Sequence, residues 1–270
     1  MTEALPPLLL LGGGKMGSAM LAGWRERGIS RVVVVDPGAQ AASLADGHVV
    51  VVASVDAIPA DFAPGAIILA VKPQVASEAV APLRHLAGGA AIVSIMAGKT
   101  IAWLASQFGA GAAVIRAMPN TPAAVRMGIT VACAGPNVAP DQRDLAETLL
   151  AAVGAVAFVE DEALLDPVTA VSGGGPAYVF LLAELLEAAA VEQGIPPELA
   201  RDLARRTVIG SGALLAASPE PAEALRRAVT SPNGTTERAL AVLMERSAWP
   251  EAMSKAIAAA TERSRELARG

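Results

Sequence analysis

The sequence predicts a doubly wound α/β sheet followed by an all-helical segment. Three observations lead there. Short runs rich in Leu, Ile and Val alternate with segments of helical length as far as Glu160. A glycine turn, Gly12 to Gly17, joins the first run to the first helical segment. Beyond Pro167 nothing reads as a strand, and Gly, Pro, Ser or Asn bounds each remaining apolar stretch.

Taken in order, Leu8–Leu11, Val32–Val35, Val49–Val52, Ile67–Val71, Ala91–Ile95 and Val114–Ala117 are continuous apolar runs. Continuous rather than alternating runs suit strands covered on both faces, as in a parallel sheet. Ser18–Arg27 and Ser77–Leu86 supply helices between them, and the βαβα rhythm is that of a doubly wound sheet. Ile129–Ala134, Gln142–Val153 and Ala155–Val159 are expected to add a βαβ unit at its edge. Then Pro176–Gln193, Pro197–Ala216, Ala222–Ala228, Thr235–Arg246 and Pro250–Ala268 read as helices. The short charged boundary at Glu160–Pro167 divides the chain into an α/β domain, residues 1–161, and a helical domain, residues 162–270.

Composition narrows the function classes. Hydrophobic residues make up 53% and charged residues 17%, which excludes a disordered chain. A net charge of −5 with 3% aromatics gives little to attract phosphates or stack bases, so no nucleic-acid partner is expected. The lone Cys133 excludes an intrachain disulfide and a cysteine metal cluster, and fits a reducing, cytoplasmic setting. Mean hydropathy is +0.48. Yet the most apolar stretch, Val179 to Val191, is interrupted by Glu184 and Glu187, and Met1 to Leu11 lacks a basic leader region. No membrane association is expected. High hydropathy then points to helices buried in an oligomer with an apolar interface.

Gly12, Gly14 and Gly17 satisfy G-x-G-x-x-G, with Lys15 and Met16 between the last two. The first glycine permits the tight turn, the second lets a pyrophosphate approach the backbone, and the third lets the helix pack close to the sheet. Phosphates then sit where free helix amides and the dipole favour anions. Asp36 ends the second strand near the spacing of about 20 residues expected of a ribose-binding acid. The first domain is therefore expected to be of Rossmann type and to bind a dinucleotide. A carboxylate at Asp36 accepts from the ribose hydroxyls of NADH and repels the extra phosphate of NADPH. Two unit charges ~4 Å apart repel by ~1 kcal/mol in water and ~4 kcal/mol at an effective dielectric of ~20. The following residues, Pro37-Gly38-Ala39-Gln40, offer no cation. NADPH or NADH is expected, with Asp36 leaning toward NADH.

The remaining inventory limits the chemistry. His48 and His85 read as surface residues on a turn and a helix. None of Lys15, Lys72, Lys99 and Lys255 falls on Pro176–Gln193. The β-hydroxyacid dehydrogenases carry a lysine on the corresponding helix, so their reaction is disfavoured. Reduction of a C=N bond needs little proton management and fits better.

Four further motifs stand in register with the glycine turn: Ala70-Val71-Lys72-Pro73; Arg116-Ala117-Met118-Pro119-Asn120-Thr121-Pro122; Ser172-Gly173-Gly174-Gly175-Pro176-Ala177-Tyr178, preceded by Asp166 and Thr169; and Val229-Thr230-Ser231-Pro232-Asn233-Gly234-Thr235-Thr236. In this order and spacing the chain resembles the pyrroline-5-carboxylate reductases over nearly its whole length. The resemblance implies reduction of 1-pyrroline-5-carboxylate to L-proline by NADPH or NADH, and a helical domain that forms a homodimer and can build rings of dimers. It implies cofactor contacts at Gly12 to Gly17, Asp36 and Asp56, along Ala70, Val71, Lys72 and Pro73, and near the nicotinamide at Ile95, Met96 and Ala97. It implies substrate contacts at Glu162, Ser231, Gly234, Thr235 and Thr236, with Thr236 next to the ring nitrogen and Ser231 beside it in the catalytic pair. The residues agree: a turn opening a helix seats a small carboxylate on free amides and hydroxyls, and a threonine hydroxyl both donates and accepts. The plain alternative is that Ser231, Thr235 and Thr236 only cap that helix.

Two departures from the family pattern stand out. Asp36 replaces a short neutral polar residue, and Ala228 replaces an asparagine that reaches the cofactor in relatives. Arg116 is expected to order the Pro119–Pro122 loop, Cys133 to be an inert buried thiol, Tyr178 to lie in core or interface, and the last helix to pack across the dimer. The rivals are a related cyclic-imine reductase and a non-catalytic dinucleotide sensor. The Ser231–Thr236 loop weighs against a sensor, which has no use for a carboxylate seat.

Overall fold

The computed structural model describes residues 5–269. The first four residues of the N-terminal segment read above, and Gly270, lie outside the described residues. The chain forms two compact units. One holds the residues up to Gly173 together with those from Ala260 on; the other is Gly174–Ala259.

Unit 1 is built on an eight-stranded sheet in the order β3-β2-β1-β4-β5-β6-β7-β8. Its strands are β1 Leu8–Leu11, β2 Val32–Val35, β3 Val49–Val52, β4 Ala66–Leu69, β5 Ala91–Ser94, β6 Ala113–Met118, β7 Gly128–Ala134 and β8 Gly154–Val159. The first six pair in parallel, β7 runs antiparallel to β6, and β8 returns parallel to β7. That last pair, joined by a helix, is the edge unit expected from the sequence. Helices α1 Lys15–Glu26, α2 Ala76–Val80, α3 Ile101–Phe108, α4 Pro140–Leu150 and α5 Leu165–Val168 cover the sheet.

Strand side chains alternate between faces, so each β1 residue commits to one of two cores. Leu8 and Leu10 join Met20, Leu21, Trp24, Leu149 and Leu150 on the α1/α4 face. Leu9 and Leu11 join Val80, Leu83, Leu104 and Phe108 on the other. Burial on both faces is why the sequence shows unbroken apolar runs. The Trp24 indole N–H donates to the Leu149 carbonyl at 2.9 Å, which satisfies the one polar atom of a fully buried ring.

Several local expectations shift. The first helix begins at Lys15, directly after the glycine turn, rather than at Ser18. Ser77–Leu86 is not one α-helix. A 3-10 turn at Pro73–Val75 leads into α2, and a second 3-10 turn, Ala81–Leu86, carries Pro82 at its start. Proline lacks an N–H and clashes with the preceding turn, so it ends the α-helix there. Helix α3, absent from the list above, is capped by the Thr100 hydroxyl accepting from Trp103 N at 3.1 Å, and ends at Gly109 with φ +112°. Glu162–Gly173 is also helical throughout, passing from a 3-10 turn through α5 into a π turn, Thr169–Gly173.

Unit 2 contains α6 Gly175–Glu192, α7 Pro197–Ala217, α8 Ala222–Ala228 and α9 Thr235–Leu243, and the first part of α10 Trp249–Arg269. No strand occurs among its described residues. Helices α6 and α7 pack on each other and share the Arg201–Glu187 ion pair at 3.2 Å. Even so, α6 buries none of its residues within one chain, and Phe180 is 69% exposed. The run Glu162–Glu192 is long and apolar enough to cross a membrane by length and composition. The final turns of α10 group with unit 1: residues from Ala260 on belong to it, and Thr261 and Ser264 are buried there.

Candidate active site

At the carboxyl ends of the parallel strands, unit 1 opens into a crevice of about 410 Å³. Its walls come from the ends of β1 and β2 (Leu11, Gly12, Val35, Asp36), the segment after β3 (Ala53 to Asp56) and the stretch after β4 that carries Val71, Val75 and Glu78. Here the strand order reverses, with β1 flanked by β2 on one side and β4 on the other. Ligands of doubly wound folds bind at such a switch point.

Each glycine of the turn has its own physical reason. Gly12 holds φ +101°, and a methyl group on it would lie 2.8 Å from the Ala70 carbonyl oxygen. On Gly17 the methyl would lie 2.1 Å from the Gly12 carbonyl oxygen, so α1 approaches the turn as only glycine allows. At Gly14 the chain leaves open space, with no protein atom within 4 Å of the added carbon. The chain's own packing does not demand glycine there; close approach of a bound phosphate does. Gly14 caps α1 without a side chain, and no acid stands in the first turn. The residues present thus fit a dinucleotide pyrophosphate on the α1 amides. Lys15 and Lys72 are exposed, while Met16, Ala70, Val71 and Pro73 are half-buried.

Asp36 is more constrained than the sequence indicates. One carboxylate oxygen accepts from Gly13 N at 2.7 Å and the other from Gly38 N at 2.7 Å. The acid therefore braces the glycine turn and faces the crevice at once. Asp56 and Glu78 share the lining, and none of the lining residues is Lys or Arg.

Next to β5 lies Ile95-Met96-Ala97. Met96 is buried, Ile95 half-buried and Ala97 exposed. The segment leads through Gly98 to α3, whose first amide, Ile101 N, donates to Glu162 Oε1 at 2.8 Å. The same oxygen accepts from Arg116 Nη1 at 2.9 Å. Arg116 is 2% exposed, and its Nε and Nη2 find no partner among the described residues. One expectation changes here. Arg116 pairs with Glu162 instead of ordering the Pro119–Pro122 loop, where Asn120 Oδ1 accepts from Ile129 N at 3.0 Å. Glu162, expected at the substrate, also compensates a buried guanidinium through Oε1. Cys133 sits opposite Arg116 across β6 and β7 and is buried. Burial, with the carboxylates of Glu162, Glu160 and Asp161, pushes its thiol above the usual range, and Arg116 opposes this. It is a protonated, unreactive thiol. Ser172 spends its hydroxyl on the Val168 carbonyl at 3.0 Å. His48 and His85 are exposed.

In unit 2, the turn before α9 is made by Gly234 N donating to the Ser231 carbonyl at 3.0 Å, with Asn233 left-handed at φ +60°. Glu237 Oε2 accepts from Asn233 N at 2.8 Å. Gly234 is the N-cap, and no side chain caps the helix. Ser231, Thr235 and Thr236 are exposed, so their hydroxyls are not consumed as caps and the plain alternative fails for them. Tyr178 is half-buried on α6, beside Leu182, Trp249 and Met253.

Residues 162–267 match the family model for pyrroline-5-carboxylate reductase dimerisation, and residues 8–98 match the model described as "NADP oxidoreductase coenzyme F420-dependent". The exposed apolar α6 lies in the first of these. A pyrroline-5-carboxylate reductase of Pseudomonas aeruginosa is 38% identical over 97% of this chain and 97% of its own length. Among solved structures, a pyrroline-5-carboxylate reductase from Coxiella burnetii superposes with TM-score 0.89 at 31% identity, covering 97% of this chain and 98% of that one. A Plasmodium falciparum pyrroline carboxylate reductase with NADP bound gives TM-score 0.82 at 27% identity, covering 97% and 98%. With this identity maintained from end to end, the chain belongs to the pyrroline-5-carboxylate reductase family.

Proposed function

We infer that this chain reduces 1-pyrroline-5-carboxylate to L-proline with a reduced nicotinamide dinucleotide. The observation that carries this is the entry to α9: an uncapped helix N-terminus with three exposed hydroxyls, on a chain whose other unit holds the glycine turn. Bound at that turn, the reduced nicotinamide supplies a hydride. The imine carbon gains it, the C=N π bond breaks, and the ring nitrogen keeps the proton taken from solvent as the iminium. Thr235 and Thr236 amides with the Ser231 hydroxyl hold the carboxylate. The Thr236 hydroxyl holds the ring nitrogen, accepting from the iminium and serving the amine afterwards. Its contribution is positioning. Nothing in this scheme requires Glu162 to touch the substrate.

Asp36, Asp56 and Glu78 around the crevice support a preference for NADH. A 2′-phosphate would meet three carboxylates without a compensating cation among the lining residues. The expected discrimination is about tenfold or more. The exposed apolar face of α6 supports self-association as a homodimer, with rings of dimers as the larger form, and leaves no need for a membrane or nucleic-acid partner. The single buried thiol is consistent with a cytoplasmic setting. The test is oxidation of NADH and of NADPH with and without pyrroline-5-carboxylate. Substrate-dependent oxidation, faster with NADH, is expected. Oxidation with neither cofactor would favour the sensor, and an NADPH preference would overturn the charge argument alone.

A further inference from the structure

We propose that the last turns of α10 clamp the nicotinamide-side loop, with Ser264 and Asp166 as positioning residues. This rests on the assignment of Ile95–Ala97 to the nicotinamide. Ser264 Oγ donates to Asp166 Oδ1 at 2.7 Å. Ser264 is 8% exposed and Asp166 9%, so a buried carboxylate depends on this hydroxyl. A buried charge is kept only where a donor meets it. One turn further along α10, the backbone of Leu267 closes on the loop. A methyl group on Gly98, at φ +72°, would lie 2.9 Å from the Leu267 carbonyl oxygen.

The loop is thereby held at three points. At its start Met96 N donates to Ser94 Oγ at 3.3 Å. In its middle Gly98 abuts Leu267. At its end Ile101 N donates to Glu162. Glu162 and Asp166 stand one helical turn apart on the same short helical stretch, which packs through Leu165 against Val131 and Cys133 of β7. That stretch is a strut. Its first carboxylate fixes the end of the loop, and its second fixes the helix that presses on the middle. A rigid loop holds the hydride donor at the near-attack distance, where displacements of about 1 Å cost about a hundredfold.

The test compares the full-length wild type with Ser264→Ala, Ser264→Thr and Asp166→Asn. In Ser264→Ala, backbone amides 96–100 are expected to exchange with deuterium about tenfold faster, while NADH affinity changes less than about twofold. Turnover falls about tenfold, and the isotope effect with 4-deuterated NADH rises as hydride transfer becomes limiting. Ser264→Thr, which keeps the hydroxyl, restores both, and Asp166→Asn, which keeps the Oδ1 acceptor, stays close to wild type. Unchanged loop exchange in Ser264→Ala overturns the clamp, as does a lower melting temperature with unchanged isotope effect. If the wild type fails to turn over pyrroline-5-carboxylate, the functional assignment falls, while loop exchange still decides the clamp.

Discussion

Two turns in this molecule do the same physical job in opposite ways. Gly12–Gly17 and Ser231–Gly234 each deliver the chain into a helix whose first amides no side chain caps. The first is fixed by its surroundings. It leaves the fully enclosed strand β1, Gly12 and Gly17 touch backbone that no side chain could approach, and Asp36 holds Gly13 from 23 residues away. The second is fixed by its own backbone, through one i to i+3 hydrogen bond, a left-handed Asn233 and a reach back from Glu237. An adaptor for an invariant ligand part such as a pyrophosphate can be part of the core. The seat proposed for a small ring acid lies instead on an exposed helix end, where a side chain can be changed with little cost to folding.

Substitutions break this contrast in order of size. Gly17→Ala has the largest expected effect, because the added carbon meets the Gly12 carbonyl at 2.1 Å and backbone must move. A stability loss of order 3 kcal/mol, with loss of dinucleotide binding, should appear in urea titrations and cofactor fluorescence. Thr236→Ala comes next and acts only on the reaction. Losing a hydrogen bond to a charged group, worth about 1.5–3 kcal/mol, lowers kcat/KM about tenfold to a hundredfold. Its stability should stay within about 0.5 kcal/mol of wild type, as for an exposed position. A comparable stability loss at both turns would erase the distinction. Asp36→Asn keeps an acceptor for one of the two amides and removes the charge. The NADPH-to-NADH ratio of kcat/KM should rise about tenfold.

Cys133 gives the smallest effect and a pH signature. Its folded pKa is raised, chiefly by burial. At a pH above about 8.5 the unfolded thiol loses its proton while the folded one keeps it. The stabilisation is thus complete below the unfolded pKa and lost as pH rises. Wild type should lose more stability than Cys133→Ala between about pH 8 and 10 in urea titrations.

How far the sequence carried this picture depended on the range of each interaction. Strands such as Val32–Val35 were legible because burial on two faces writes itself as an unbroken run. The glycine turn was legible because its spacing is local. Helix α3 was missed although Thr100 and Gly109 mark its two ends, a signal that a closer look at caps recovers. The Arg116–Glu162 and Asp166–Ser264 contacts span 46 and 98 residues, and no periodicity connects such partners. Motif membership placed Glu162 among substrate residues. Only folding reveals that it must answer the guanidinium buried on β6.

Transfer of the label from 4-deuterated NADH, followed by mass spectrometry of the product, shows whether the bound nicotinamide delivers its hydride to the ring. Proline heavier by one mass unit, labelled on the former imine carbon and lost in Thr236→Ala in proportion to the fall in rate, is the predicted result. Cofactor bound at the glycine turn with no deuterium reaching proline would contradict the account.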